Sequence, residues 1–306
     1  MWRFLTPVVE AAVVSGRLPG PLVNAAFAAA TSAARVLGGM AANAELLELG
    51  NILEAIRRFV PSRFDAASLA VHDEGLAALG GTDKAGRSLS VLSFGEPTFE
   101  ALWALEGLGY RNAKIGLQAK PTRPLDLGIV MRLPVRHRGI FHVGSTIALA
   151  EGCLRRAARD SLVDPVDALR SYLRICGEQA PKTLHGIEAE SLGFVSVTLF
   201  PEVLERAADV VSAHHRLLRA FFWHGVGRGL YLKYPAALGG PGRSWPALRS
   251  TLLNASLDAE DEANALAGYG WALGLVNLRH PSVICSRVNA FQSSARNTEQ
   301  LLRGLG

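Results

Sequence analysis

Phe222-Trp-His-Gly-Val-Gly-Arg-Gly-Leu230 and Leu266-Ala-Gly-Tyr-Gly-Trp-Ala-Leu273 are two copies of one pattern. Aligned on Gly225 and Gly268, each has a second glycine two residues on (Gly227, Gly270) and then a small residue followed by Leu. Ile140-Phe-His-Val-Gly-Ser-Thr-Ile-Ala-Leu149 fits with Gly144 as anchor, Leu105-Glu-Gly-Leu-Gly109 fits around Gly107, and Leu184-His-Gly186 is a weaker copy. The anchors 107, 144, 186, 225 and 268 are separated by 37, 42, 39 and 43 residues. A period near forty is what stacked helix pairs produce, because a single pair cannot bury its own apolar face. The expected fold is therefore mainly all-α: stacked helix-pair repeats of about 40 residues forming a solenoid or curved array, with at most minor short strands.

Composition agrees. Of the 306 residues, 49% are hydrophobic, much of that Ala, while aromatics are 7%. Ala is the strongest helix former, so the balance favours close-packed helices over a sheet. Charged residues are 19%, below the usual quarter or so, which excludes a disordered tail protein. Cys153, Cys176 and Cys285 are odd in number and in no metal-ligand spacing, so a reducing cytoplasm is expected rather than a disulfide scaffold. Met1-Trp-Arg-Phe-Leu-Thr-Pro-Val-Val-Glu10 makes a poor signal peptide, and no uncharged apolar run is long enough for a spanning helix.

Residues 21–58 read as two helices broken at Gly38-Gly39, the second running from Glu45 to Val60 and ended by Pro61. Ser62 or Asp65 is placed to cap a further helix to about Leu79. Residues 82–97 are the least helical, and Gly193-Phe-Val-Ser-Val-Thr-Leu-Phe200 is open to strand or helix. No Pro/Ser-rich linker cuts the chain, so an N-terminal helical cap over 1–60 and one continuous domain over 61–306 are expected.

Chemistry-bearing motifs are scarce: GxSxG, SxxK, HExxH, CxxC and the P-loop are all missing from the sequence, and neither strong GxG copy completes GxGxxG. Nothing names a cofactor, and no metal site is expected. Asp258-Ala-Glu-Asp-Glu262 has carboxylates at spacings a magnesium diphosphate site would use, but acids before a helix also serve as cap and dipole partners. His142, His185 and His224 lie beside the anchors, with Glu106 before Gly107; if the repeats stack, they form a ladder of acid/base candidates. The alternative is that each histidine packs within its own repeat.

Helical glycines cost about 1 kcal/mol each relative to Ala, so Gly225, Gly227 and Gly229 need compensation. Close helix–helix approach supplies it in one reading, a ligand-facing turn in the other. On the second, Gly225, Gly227, Gly268 and Gly270 line one groove, with Arg228, Tyr269 and Trp271 giving it a cationic and aromatic wall for a flat polyunsaturated ligand. Between Arg111 and Arg138 seven cations oppose one acid, a net +6 against +5 for the whole chain. Arg132, Arg136 and Arg138 are the candidates for docking an acidic partner such as an acyl carrier protein, whereas nucleic acid is not expected.

The segments Arg219–Tyr231 and Leu266–Leu275 resemble the tandem GxGxxL motifs of a bacterial family of unknown function associated with enediyne biosynthesis, whose members occur in the cassette beside the iterative polyketide synthase and its thioesterase. Arg138-Gly-Ile-Phe-His-Val-Gly144 and Leu184-His-Gly-Ile-Glu188 fall where that family carries its Arg-Gly-Phe…Glu-Gly and Asp-Gly-Tyr-Gly elements. The resemblance spans roughly residues 60–300. This chain departs from it at Val143, where the family has Glu, and at Glu188, where it has Gly. It implies an accessory protein of specialised-metabolite biosynthesis that acts on or binds a polyunsaturated polyketide intermediate. The alternative is a non-catalytic helical scaffold for an acidic carrier protein.

Overall fold

In a computed structural model, residues 20–41, 43–59, 99–119, 124–125, 130, 133, 135–160, 162–180, 182–233, 257–291 and 295–305 are described. They form eleven α-helices and, among the described residues, no strand. The helices are α1 (Gly20–Met40), α2 (Ala44–Phe59), α3 (Phe99–Ala119), α4 (Val135–Arg159), α5 (Pro165–Gln179), α6 (His185–Leu199), α7 (Leu204–His214), α8 (Leu218–Lys233), α9 (Ala259–Asn277), α10 (Pro281–Phe291) and α11 (Ala295–Leu305). The open segment 193–200 is helical through Leu199, within α6. The first break falls at 41–43, after the glycine pair: Gly38 and Gly39 complete the last turn of α1, and the Asn43 side chain caps α2 by accepting from Glu45 N and Leu46 N at 3.0 and 3.1 Å. The expected helix from 62 or 65 to 79 and the extended segment 82–97 lie outside the described residues.

Local signals start the helices where their chemistry predicts. Asp164 caps α5 by accepting from Val166 N, with Pro165 in the first turn, where a missing N–H costs nothing. Asp258 caps α9, accepting from Glu260 N at 3.0 Å and Asp261 N at 2.8 Å. The acidic cluster is thus a cap, and Asp261 is engaged by Arg219 of α8 in a bidentate pair at 2.6–3.0 Å, while Arg219 also donates to Ser212 of α7 at 2.7 Å.

The chain divides into two compact units, residues 1–30 with 53–149 and residues 31–52 with 150–306. These boundaries differ from the expected one at residue 60. In the first unit, α3 and α4 pack through Leu105, Leu108 and Phe141, joined by Val130 and Leu133. In the second unit the principal packing joins α6 to α8, α8 to α9 and α9 to α11, while α7 packs on α5, α6 and α8.

One contact geometry recurs in both units. A Cβ on Gly109 would lie under 3.0 Å from the Phe141 backbone, and one on Gly144 equally close to that of Glu106. The same reciprocal pairing joins Gly193 to Phe222 and Gly225 to Glu190, Gly227 to Ala265 and Gly268 to His224, then Gly270 to Leu301 and Gly304 to Ala267. In every case one glycine meets the residue three before its partner glycine, and the partner meets the residue three before the first. Two helical residues span about 200° of rotation. The glycines of a GxG pair therefore face opposite neighbours: Gly225 faces α6 and Gly227 faces α9, while Gly268 faces α8 and Gly270 faces α11. Gly186 belongs elsewhere, against the Phe221 ring, so Gly193 holds the place that the sequence pattern gives to Gly186.

The second unit also buries a polar cluster. Glu48 of α2 holds Arg287 of α10 in a bidentate ion pair, with Arg287 Nε at 3.0 and 3.1 Å from the two carboxylate oxygens, and both side chains are buried. Asn51 Nδ2 donates to Asn277 Oδ1 at 2.8 Å, and Asn277 Nδ2 donates to the Tyr231 hydroxyl at 2.7 Å. The Tyr231 and Tyr269 rings meet edge to face at 5.3 Å. These contacts bind residues 48 and 51 to partners more than 220 positions away. No sequence break at residue 60 could mark that.

Two predictions follow from this packing. Gly227→Ala gains helix propensity yet must push α8 from α9, so net destabilisation of about 1–3 kcal/mol is expected in urea unfolding. Gly177→Ala in α5, where a Cβ meets open space, should instead stabilise by about 0.5–1 kcal/mol. Equal effects at the two sites would remove the packing explanation. Arg287→Met alone strands the buried Glu48 carboxylate and should destabilise by about 3–5 kcal/mol, whereas the double variant with Glu48→Leu should recover most of that loss. Additive losses in the double variant would count against a coupled buried pair.

Candidate functional site

The repeated contact decides which side chains meet. The residue before the first glycine of each pair, or before the small residue in its place, presents its backbone to the next helix. The corresponding residues are Glu106, Glu190, His224 and Ala267. One turn on, in the same face of the helix, stand Tyr110, Phe194, Arg228 and Trp271. In the second unit these two rows converge on one cluster across α6, α8 and α9.

His224 Nδ1 stands 3.5 Å from Glu190 Oε1, and Arg228 Nη1 stands 3.7 Å from the same oxygen. The Arg228 guanidinium lies over two aromatic faces, 5.1 Å from the Phe194 ring centre and 5.4 Å from that of Trp271. Trp271 also meets the His224 ring edge-on at 6.1 Å. The Arg228 side chain is only 3% exposed, whereas Glu190 is 16% and His224 27% exposed, so the cation is the floor and the dyad faces outward. Burial raises the Glu190 carboxyl, but the hydrogen bond from His224 and the charge of Arg228 outweigh it and hold the group below its ordinary range. The carboxylate at Nδ1 orients the imidazole.

The expected site residues distribute unevenly. His224, Arg228 and Trp271 come together. His142 lies buried in the first unit, in α4. His185 opens α6, five residues before Glu190 and so about 7.5 Å along the helix and some 140° around it. Within the second unit the partner of His224 is Glu190. Gly225, Gly227, Gly268 and Gly270 face helix backbones rather than a groove, because each is where two helices come closest. Tyr269 is fully buried against Tyr231. Arg132 and the side chain of Arg136 lie outside the described residues, and Arg138 Nε donates to Leu133 O at 2.9 Å.

Glu190 and Phe194 are the residues that sequence reasoning passed over. Their signal was present: Glu106-Gly-Leu-Gly-Tyr110, Glu190-Ser-Leu-Gly-Phe194, His224-Gly-Val-Gly-Arg228 and Ala267-Gly-Tyr-Gly-Trp271 align once Ser191 is accepted in place of glycine. Cys176 is buried and Cys153 partly buried. Burial pushes the Cys153 thiol up to about 11 and Cys176 well above its ordinary value. Among the described residues no group of three or more His, Cys, Asp or Glu could hold a metal ion, and no helix is long and apolar enough to cross a membrane.

No family model, curated protein or solved structure matches the chain.

The lowered Glu190 value has a sign that can be tested. A depressed carboxyl adds stability above its unfolded value of about 4.3, and that stability is lost as pH falls toward the folded value. Glu190→Gln should cost about 1–2 kcal/mol near neutrality. It should also flatten the acid limb of stability measured by urea unfolding between about pH 6 and pH 3.5. An unchanged acid limb would show that the carboxyl is not held by His224 and Arg228.

Proposed function

We propose that this protein is a curved array of stacked helix pairs that binds a flat, polyunsaturated small molecule on the α6–α8–α9 face. The observation that carries the reading is the Phe194–Arg228–Trp271 stack beside the partly exposed Glu190–His224 pair. An aromatic face already polarised by a buried guanidinium suits a conjugated π-system, and the adjoining dyad suits proton transfer to or from it. The recurring glycine contact supports the array. The GxGxxL motifs support a place in enediyne- or polyketide-type biosynthesis, with a polyketide intermediate as ligand, and the scattered cysteines support work in the cytoplasm.

A second reading makes the chain a non-catalytic scaffold for an acyl carrier protein or another acidic partner of the same biosynthetic cassette. The net +6 of residues 111–138 favours it.

A neutral fluorescent polyene, 1,6-diphenylhexatriene, tests the first reading. Trp271→Ala should weaken its binding about tenfold, and His224→Ala should leave binding within about twofold. Identical titrations for wild type and Trp271→Ala would sink the proposal and leave the carrier-protein scaffold as the reading to pursue.

A further inference from the structure

Away from the Glu190–His224 pair, α5 and α7 enclose an open cleft of about 500 Å³. Its floor is apolar: Val166 and Leu173 come from α5 and Val210 and Ala213 from α7. Its rim carries Arg170 and Arg174, one turn apart on α5, and Arg206 on α7, against the single carboxylate of Asp209, with His214 at the end of α7. Three guanidinium groups and one carboxylate line the opening, an excess of positive charge over an apolar floor.

Arg170 and Arg174 do have partners, but weak ones. Arg170 pairs with Asp167 at 3.3 Å and Arg174 with Glu178 at 3.2 Å, each within α5 and each more than half exposed on both sides. Exposed pairs of this kind contribute about 0–1 kcal/mol, so they yield readily to a ligand oxyanion that a guanidinium can hold bidentately. The cleft volume falls in the range of small-molecule sites, about 300–1,000 Å³. An anion without an apolar body would leave the floor wet, and a neutral hydrocarbon would make no use of the guanidinium rim.

We infer that the α5–α7 cleft binds a small amphiphilic anion, a carboxylate or phosphate head on a hydrocarbon body, with the head held by Arg170, Arg174 and Arg206 and the body laid along Val166, Leu173 and Val210. The inference uses none of the residues of the aromatic face and stands or falls separately from it.

Decanoate and decyl phosphate, each below its micelle concentration, are titrated into the full chain by calorimetry alongside decanol and inorganic phosphate. Both anionic amphiphiles should bind one to one and at least about tenfold more tightly than either control. Arg170→Gln/Arg206→Gln, which changes only exposed side chains, should weaken both by about tenfold or more and leave thermal unfolding unchanged. A preference for decanoate would identify a free fatty acid as the source, and a preference for decyl phosphate a phosphate ester. The site is overturned if neither amphiphile binds, if the double variant binds them as tightly as wild type, or if inorganic phosphate matches decyl phosphate. A neutral polyene should still bind the double variant, which separates this result from failure of the aromatic face.

Discussion

The close approach of helix backbones at paired glycines is the constraint from which the rest of the structure descends. Each glycine gives up about 1 kcal/mol of helix propensity, and each is placed where a side chain would collide with the carbonyl of a neighbouring helix. The deficit is offset by dispersion and apolar burial along the whole length of two helices drawn together. Because the two glycines of a GxG pair lie on nearly opposite sides, α8 and α9 can each be approached closely from both sides. A single glycine per helix would join a pair and stop there.

That spacing also places chemistry. Residues next to the paired glycines cannot choose their neighbours, since the backbone contact sets them in register with the equivalent residue of the next helix. Glu190 thus meets His224, and one turn away Phe194, Arg228 and Trp271 meet in sequence. The buried guanidinium is tolerated because two aromatic faces and one carboxylate surround it. The dyad remains partly exposed because it lies at the edge of the same seam.

A second polar cluster of this unit links segments far apart in the sequence. The Glu48–Arg287 pair and the Asn51–Asn277–Tyr231 chain bring a segment near the N-terminus into the unit formed by the second half of the sequence. A buried pair of this kind adds little net stability but strongly disfavours any arrangement that separates its members. The cleft between α5 and α7 differs from both polar clusters, since its charges are exposed and three guanidinium groups there outnumber one lining carboxylate.

By itself the sequence determined that the protein is helical, where several helices start and that glycine pairs matter, because these depend on local propensity, capping and a spacing that can be counted. The acidic cap at Asp258 and the GxG copies at 225–227 and 268–270 were legible in that way. Register was not: Gly186 matched the period better than Gly193, and only the packing of α6 on α8 identified which of them meets Gly225's helix at its backbone. The carboxylate partner of His224 went with that error, since Glu190 is one residue before a serine standing in for glycine. Tertiary structure alone decided between a ligand groove and helix contact for the glycines, because both leave the same pattern in the chain and differ only in what occupies the space beside the missing side chain.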